Sequence, residues 1–369
     1  MGKMNFYGED VYFIDVEASP SLGFNFPFKI IIPQKLCVNP VVIYACNLPK
    51  DVTDECMTIN EMIDVIREDY GSIDPVINYL SLVKGNPMVI PFVPTLRGFR
   101  PNFLGNDSLR NEFKLAKSDE KFKCDMDLYK NLALQHKNMV KTAIAVLKEN
   151  GIKVGDKVTV CVYSEGAKFA SHFSLLHPEM INSVIAGGTG GVMSMPLTSI
   201  DGYVFNYPTG IADLDKFNHD AFKQISFFYY MGSDDKSDSA IPYFEDYHYI
   251  NENGEDCVLI DECGNRTPYI DEDGNQVFVL DENGNYRARF NLFSDEEVNA
   301  INKVLGTVTQ KRFVKQKEIY DSLGLSSVFK IYPGNHRTIF KYRDSIFKDI
   351  DNFFDEKRMR ATESSKYVK

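Results

Sequence analysis

Short runs of apolar, β-branched and aromatic residues recur along the chain, separated by stretches in which apolar residues return at helical spacing. The short runs fall at 28–33, 40–45, 87–94, 157–163, 181–188, 225–232 and 327–334. Most are continuous rather than alternating, the pattern of strands covered on both faces. The longer patterns predict helices over 125–151, with Gly151 just past the end, over 167–176, stopped by His177-Pro178, and over 342–357. The last ten residues, RATESSKYVK, are polar and expected to fray. Strand alternating with helix predicts an α/β fold: a mostly parallel sheet with helices on both faces.

One region departs from this pattern. From Asn251 the sequence reads NENGEDCVLI, DECGNRTPYI, DEDGNQVFVL, DENGNYRARF, one ten-residue unit repeated. Each unit places an Asn-Gly, Cys-Gly or Asp-Gly pair at the same point and follows it with a strand-forming run. Such pairs suit the type I′ turn, which needs positive φ at both central residues. A small antiparallel β-meander is therefore expected at about 249–291, inserted in a single domain that spans 1–369. The acidic turns lack the ligand spacing and closing Glu of a calcium-binding EF-hand loop, so they read as hairpin turns. A lid and a partner-binding surface are the two roles open to such an insert.

With 44% hydrophobic residues and 369 in all, the chain can bury a large core. A net charge of −11 argues against a general binder of nucleic acid or anionic membranes. The polar start MGKMNFYGEDVYF has no apolar stretch of the secretory kind. No apolar run reaches the length of a membrane helix. The seven cysteines form no C-x-x-C pair. That reads as reduced thiols in a cytoplasmic protein rather than a disulfide framework or zinc site.

The chemistry concentrates where the run at 157–163 meets the following helix. A single serine, Ser164, stands at the corner, followed by Glu165 and Gly166. A strand–Ser–helix turn projects the hydroxyl from the sheet and aims the next backbone N–H at the same space. The five residues Val162-Tyr163-Ser164-Glu165-Gly166 keep the second glycine of G-x-S-x-G and replace the first with valine. A serine at that place is also an ordinary helix N-cap, so its partners decide between the two.

A nucleophilic serine needs a base and an orienting acid beyond the carboxyl ends of strands. His136 precedes the serine, and His172 and His177 lie on the helix after it or at its end. His219 comes before any acid that could follow the next strand, and His248 borders the repeat. His336 directly follows the last strand pattern, in the loop before the final helix. It is the candidate base. The loop after 225–232 offers Asp235 first, with Asp238 and Asp234 as alternatives.

These residues resemble the α/β-hydrolase superfamily, most closely its esterase and polyester-depolymerase branch. The resemblance runs from about Phe28 to Phe354, with the repeat outside it. It rests on VVIYACNLP, GNPMVIPFVPTLRGF, FYYMGSDDKSD, YPGNH and above all VTVCVYSEGAKFASHFSLLHPEMINSVIAGGTGG. It implies an α/β-hydrolase fold, a Ser164–Asp235–His336 triad, and an oxyanion hole built from the N–H of Glu165 and that of Cys46 or Asn47. The family's usual His-Gly at that last loop is absent here. The activity implied is hydrolysis of a small carboxylic ester, without cofactor or metal. Two further readings share the scaffold: a peptidase, and a non-catalytic protein that binds a partner through the repeat insert. GGTGG at 187–191 lacks the Lys-Ser/Thr of a phosphate loop and reads as a turn at the sheet's carboxyl edge. Arg97 and Arg100 read as solvated.

Overall fold

A computed structural model describes residues 1–45, 61, 63–64, 74–94, 126–189, 194–235, 248–250, 256–258, 295–306 and 308–366. Among them, nine strands form one sheet in the order β1-β2-β3-β5-β4-β6-β7-β10-β13. The strands are β1 (Gly2–Phe6), β2 (Glu9–Val16), β3 (Phe28–Pro33), β4 (Val42–Tyr44), β5 (Met88–Pro91), β6 (Val158–Tyr163), β7 (Ile181–Gly187), β10 (Ser226–Gly232) and β13 (Ser327–Tyr332). The first three pair antiparallel, and β3 also meets β5 antiparallel. From β5 to β13 every pairing is parallel. All seven predicted strands are present, and the fold is the α/β-hydrolase fold.

The chain steps outward from β4 to β5, then returns past β4 to β6 and continues away through β7, β10 and β13. The order therefore reverses beside β6. In a doubly wound sheet that switch point opens a crevice at the carboxyl ends of the strands, where ligands bind. Ser164 stands there.

Helices cover both faces. On one lie α2 (Leu132–Glu149) and α3 (Glu165–Leu176). Their His136, Phe169 and Phe173 pack together and against Tyr44 of β4. Helix α6 (Thr309–Ser322) sits on the same side, with Tyr320 against Phe227 and Tyr229 of β10. On the other face, α1 (Pro75–Asn78) packs on the final helix α7 (Arg343–Lys366), and Phe353 of α7 meets Phe228. Alternate side chains of β10 thus serve opposite layers, as the pleat requires. All seven residues of β10 are buried, as the continuous apolar run predicts. A smaller cluster forms around Met195, Phe205, Ile301 and Leu305. It joins the turn of β8 (Ser199–Ile200) and β9 (Tyr203–Val204) to α5 (Asp295–Leu305).

Four features depart from the sequence reading or extend it. The expected helix over 125–151 is two pieces, a 3₁₀ turn at Met126–Tyr129 and then α2. Asn131 breaks it with φ 52° and ψ 42°, a left-handed conformation that asparagine tolerates better than most residues. The carbonyls freed there accept from Gln135 Nε2, at 2.7 Å for Leu128 and 2.8 Å for Lys130. The expected frayed tail instead continues α7 to Lys366. The hairpin β1–β2 was not anticipated. Its turn is Tyr7-Gly8, both at positive φ, a type I′ requirement met without the usual Asn-Gly or Asp-Gly. Finally, β11 (His248–Ile250) and β12 (Asp256–Val258) pair antiparallel in a separate ribbon at the start of the expected meander. The rest of that meander, and Arg97 and Arg100, lie outside the described residues. Among the described residues, no helix is long and apolar enough to cross a membrane.

Candidate active site

β6 ends at Tyr163 and α3 begins at Glu165, so Ser164 alone makes the corner. Its φ of 57° and ψ of −121° lie outside the regions that residues with a Cβ ordinarily occupy. Holding such a conformation costs on the order of 1–3 kcal/mol. Two backbone hydrogen bonds fix it: the Ser164 N–H donates to the Gly187 carbonyl at 2.9 Å, and its carbonyl accepts from the Ala167 N–H at 3.0 Å. The hydroxyl does not cap α3. It faces His336.

Ser164 Oγ lies 2.8 Å from His336 Nε2, and His336 Nδ1 lies 2.8 Å from Asp235 Oδ2. The Asp235 side chain is fully buried, while that of His336 keeps 17% of its exposure. The structure thus brings the three leading candidates together and separates Asp235 from its neighbour. Asp234 is exposed, and its Oδ2 accepts from Ser233 Oγ at 3.0 Å. Asp238 lies outside the described residues, as do Cys46 and Asn47. The backbone of Glu165 opens the first turn of α3 beside the serine. Val162 is buried in β6 with Ala186 as its register partner. The valine at the first elbow position therefore meets a methyl group rather than a second branched chain.

The other histidines have separate environments. His136 is buried on α2 and hydrogen-bonded to the Tyr44 hydroxyl. Burial pushes its imidazole down to about 3. His172 packs on Tyr207. His177 sits 3.7 Å from Glu179, and burial with the nearby Lys137 ammonium lowers its pKa to about 4. His219 opens the short helix α4 (His219–Lys223).

Close backbone contact joins the loops that carry Asp235 and His336. A Cβ at Gly232 would lie 2.2 Å from the Gly334 carbonyl oxygen, so only glycine lets the two loops approach this closely. There the Ser233 N–H donates to Tyr332 O at 2.8 Å and the Asp234 N–H to Gly334 O at 2.9 Å. From α6, Gln310 Nε2 donates to the Asp235 carbonyl at 2.6 Å and the Ser233 carbonyl at 3.3 Å. Asn335 organises the loop of His336. Its Oδ1 accepts from the N–H groups of Arg337 and Thr338 at 3.0 and 2.9 Å, and its own N–H donates to Thr338 Oγ1 at 2.9 Å.

Sequence reasoning missed Gln310, Asn335, Tyr163 and the role of the Gly187-Gly188 pair. The doublet was the one available signal. A Cβ at Gly187 would lie 2.2 Å from the Tyr230 ring. Gly188 has φ +57°, and its Cβ would lie 2.7 Å from His336 Cε1 and 2.9 Å from Tyr163 Cζ. Two consecutive glycines therefore make room for two tyrosine rings and the imidazole.

No protein-family model and no curated protein matches the sequence. Among solved structures the chain is similar to poly(aspartic acid) hydrolase-1 from Sphingomonas sp. KT-1, with 12% identity over 91% of this chain and 96% of that one, at a TM-score of 0.45. It is also similar to LpqC, a poly(3-hydroxybutyrate) depolymerase from Bordetella parapertussis, with 12% identity over 92% of this chain and 89% of that one, at a TM-score of 0.45. An S-formylglutathione hydrolase from Agrobacterium tumefaciens aligns with 12% identity over 94% and 96%, at a TM-score of 0.37. The chemistry below rests on the residues of this chain alone.

Proposed function

We propose that the chain is a serine hydrolase that cleaves a carboxylic ester through an acyl-enzyme. One observation carries this reading. The Ser164 hydroxyl, the His336 imidazole and the Asp235 carboxylate form an unbroken series at 2.8 Å and 2.8 Å, beside the sheet's switch point. A serine whose role was to cap α3 would spend its hydroxyl on the helix, and this one does not.

In the proposed reaction Ser164 Oγ attacks the ester carbonyl carbon while His336 Nε2 takes its proton. Asp235 holds Nδ1–H and stabilises the imidazolium that forms. The tetrahedral intermediate places its oxyanion beside the N–H of Glu165, with Asn47 or Cys46 as source of the second donor. Collapse expels the alcohol, protonated by His336. Water, deprotonated by the same imidazole, then releases the acid and restores Ser164.

Labelling with a fluorophosphonate probe tests the nucleophile. Wild type should label at Ser164, and Ser164→Ala should lose both labelling and turnover of p-nitrophenyl esters. The label would sit on Ser164 Oγ, as mass spectrometry of the peptide would show. A folded wild-type chain that does not label would be a binding protein instead. A chain that labels, leaves the esters intact and cuts peptide substrates would be a peptidase.

A further inference from the structure

Tyr163 precedes the nucleophile and ends β6. Its phenolic hydroxyl donates to the main-chain carbonyl of His336. Its ring lies against the imidazole, with centroids 5.0 Å apart and planes at 39°, and against Phe340 at 4.7 Å. Gly188 leaves the space in which these two rings meet. The base is therefore gripped from the residue adjoining the nucleophile, by a hydrogen bond to its backbone and a ring on its side.

We infer that Tyr163 is a positioning residue that sets the Ser164–His336 distance. This deepens the proposed hydrolase reading and rests on it. The base reaches Ser164 from the end of β13, across a sequence separation of 172 residues. Among the described residues, β13 is an edge strand that pairs only with β10, so the main sheet steadies it on one side alone. The tyrosine adds a strut from a central strand to the loop beyond that edge. Burial, and then the carboxylates of Asp235 and Asp74, raise the phenol's pKa above its ordinary value. The hydroxyl thus stays a donor across the range in which an esterase is assayed. General-base catalysis depends on that distance, because a misplacement of about 1 Å can cost ~10²-fold.

Tyr163→Phe keeps the ring and removes the bond. Turnover of a p-nitrophenyl ester should fall about tenfold with KM within about twofold, and fluorophosphonate labelling should slow by the same factor. Thermal stability should stay close to wild type. A second readout does not need activity: the downfield Nδ1–H proton of His336, held by Asp235, should be sharp in wild type and exchange-broadened in Tyr163→Phe. Tyr230→Phe is the control, because its buried hydroxyl has no hydrogen-bond partner among the described residues. It should leave that resonance unchanged. If Tyr163→Phe keeps both a sharp imidazole proton and wild-type rates, the positioning role is overturned. If wild type is inert to ester and probe but the resonance still broadens in Tyr163→Phe alone, the hydrolase reading fails and the strut stands.

Discussion

Gly188 shows how little room the site leaves at the level of single atoms. A methyl group there would press on both the imidazole and the Tyr163 ring, and its backbone sits at φ +57°. Gly188→Ala should lower turnover by roughly 10²-fold through displacement of His336. It should cost stability by about 1–2 kcal/mol for the left-handed backbone alone. Ester kinetics and a urea midpoint measure the two effects separately. Ser164, Asp235 and His336 stood out as candidates in the sequence because each lies within a few residues of the end of a recognisable strand. The residues that hold them were not. Tyr163 reads as one more β-former, and Asn335 as one more turn residue. What each does depends on a partner carbonyl or ring far away in the chain, which no local pattern encodes.

Among the elements, the strands were easiest to read, because burial on both faces leaves unbroken apolar runs. Helix α6 was missed for the opposite reason. It buries Arg312 and Gln316 alongside Phe313 and Tyr320, so its inner face does not look apolar. The guanidinium is satisfied by the Gly306 carbonyl at 2.8 Å and Asn302 Oδ1 at 3.2 Å. This concealed helix delivers Gln310 to the loop of Asp235. A net hydrogen bond of about 1 kcal/mol corresponds to roughly fivefold in rate when it is felt in the transition state. Gln310→Ala should therefore lower kcat about fivefold at constant KM in steady-state ester assays. The broken helix at Asn131 has the same lesson. Helical periodicity continued through a residue whose backbone had turned left-handed, because carbonyls freed at the break were recaptured by Gln135.

At the scale of the molecule, two buried groups tie folding to pH in opposite senses. His136, lowered to about 3, stays neutral in the fold while the unfolded chain protonates below the ordinary 6.5. Its contribution to stability is lost as pH falls from 6.5. Asp74 caps α1 through a 2.6 Å bond from the Val76 N–H to its Oδ1. Burial raises it to about 7 from 3.8. It stays protonated in the fold, and its contribution is lost as pH rises from 3.8. Each slope is about 1.4 kcal/mol per pH unit per proton, and over the shared window they oppose. Relative to wild type, His136→Met should gain urea stability as pH falls, and Asp74→Asn should gain it as pH rises. Unfolding series at several pH values between about 4.5 and 6.5 check both. The alternation of strand and helix announced this architecture. The two titrating residues stayed hidden, because only packing shows that a histidine and an aspartate have lost their water.

The strand order has one more consequence. The hydroxyl is encoded at 164, the carboxylate at 235 and the imidazole at 336, and the last of these lies just beyond β13, the outermost strand at that edge among the described residues. A nascent chain growing from its amino end would carry a shaped elbow over a long interval of synthesis with nothing to withdraw its proton. The proposed reactivity is thus withheld until His336 has been added and β13 has joined β10.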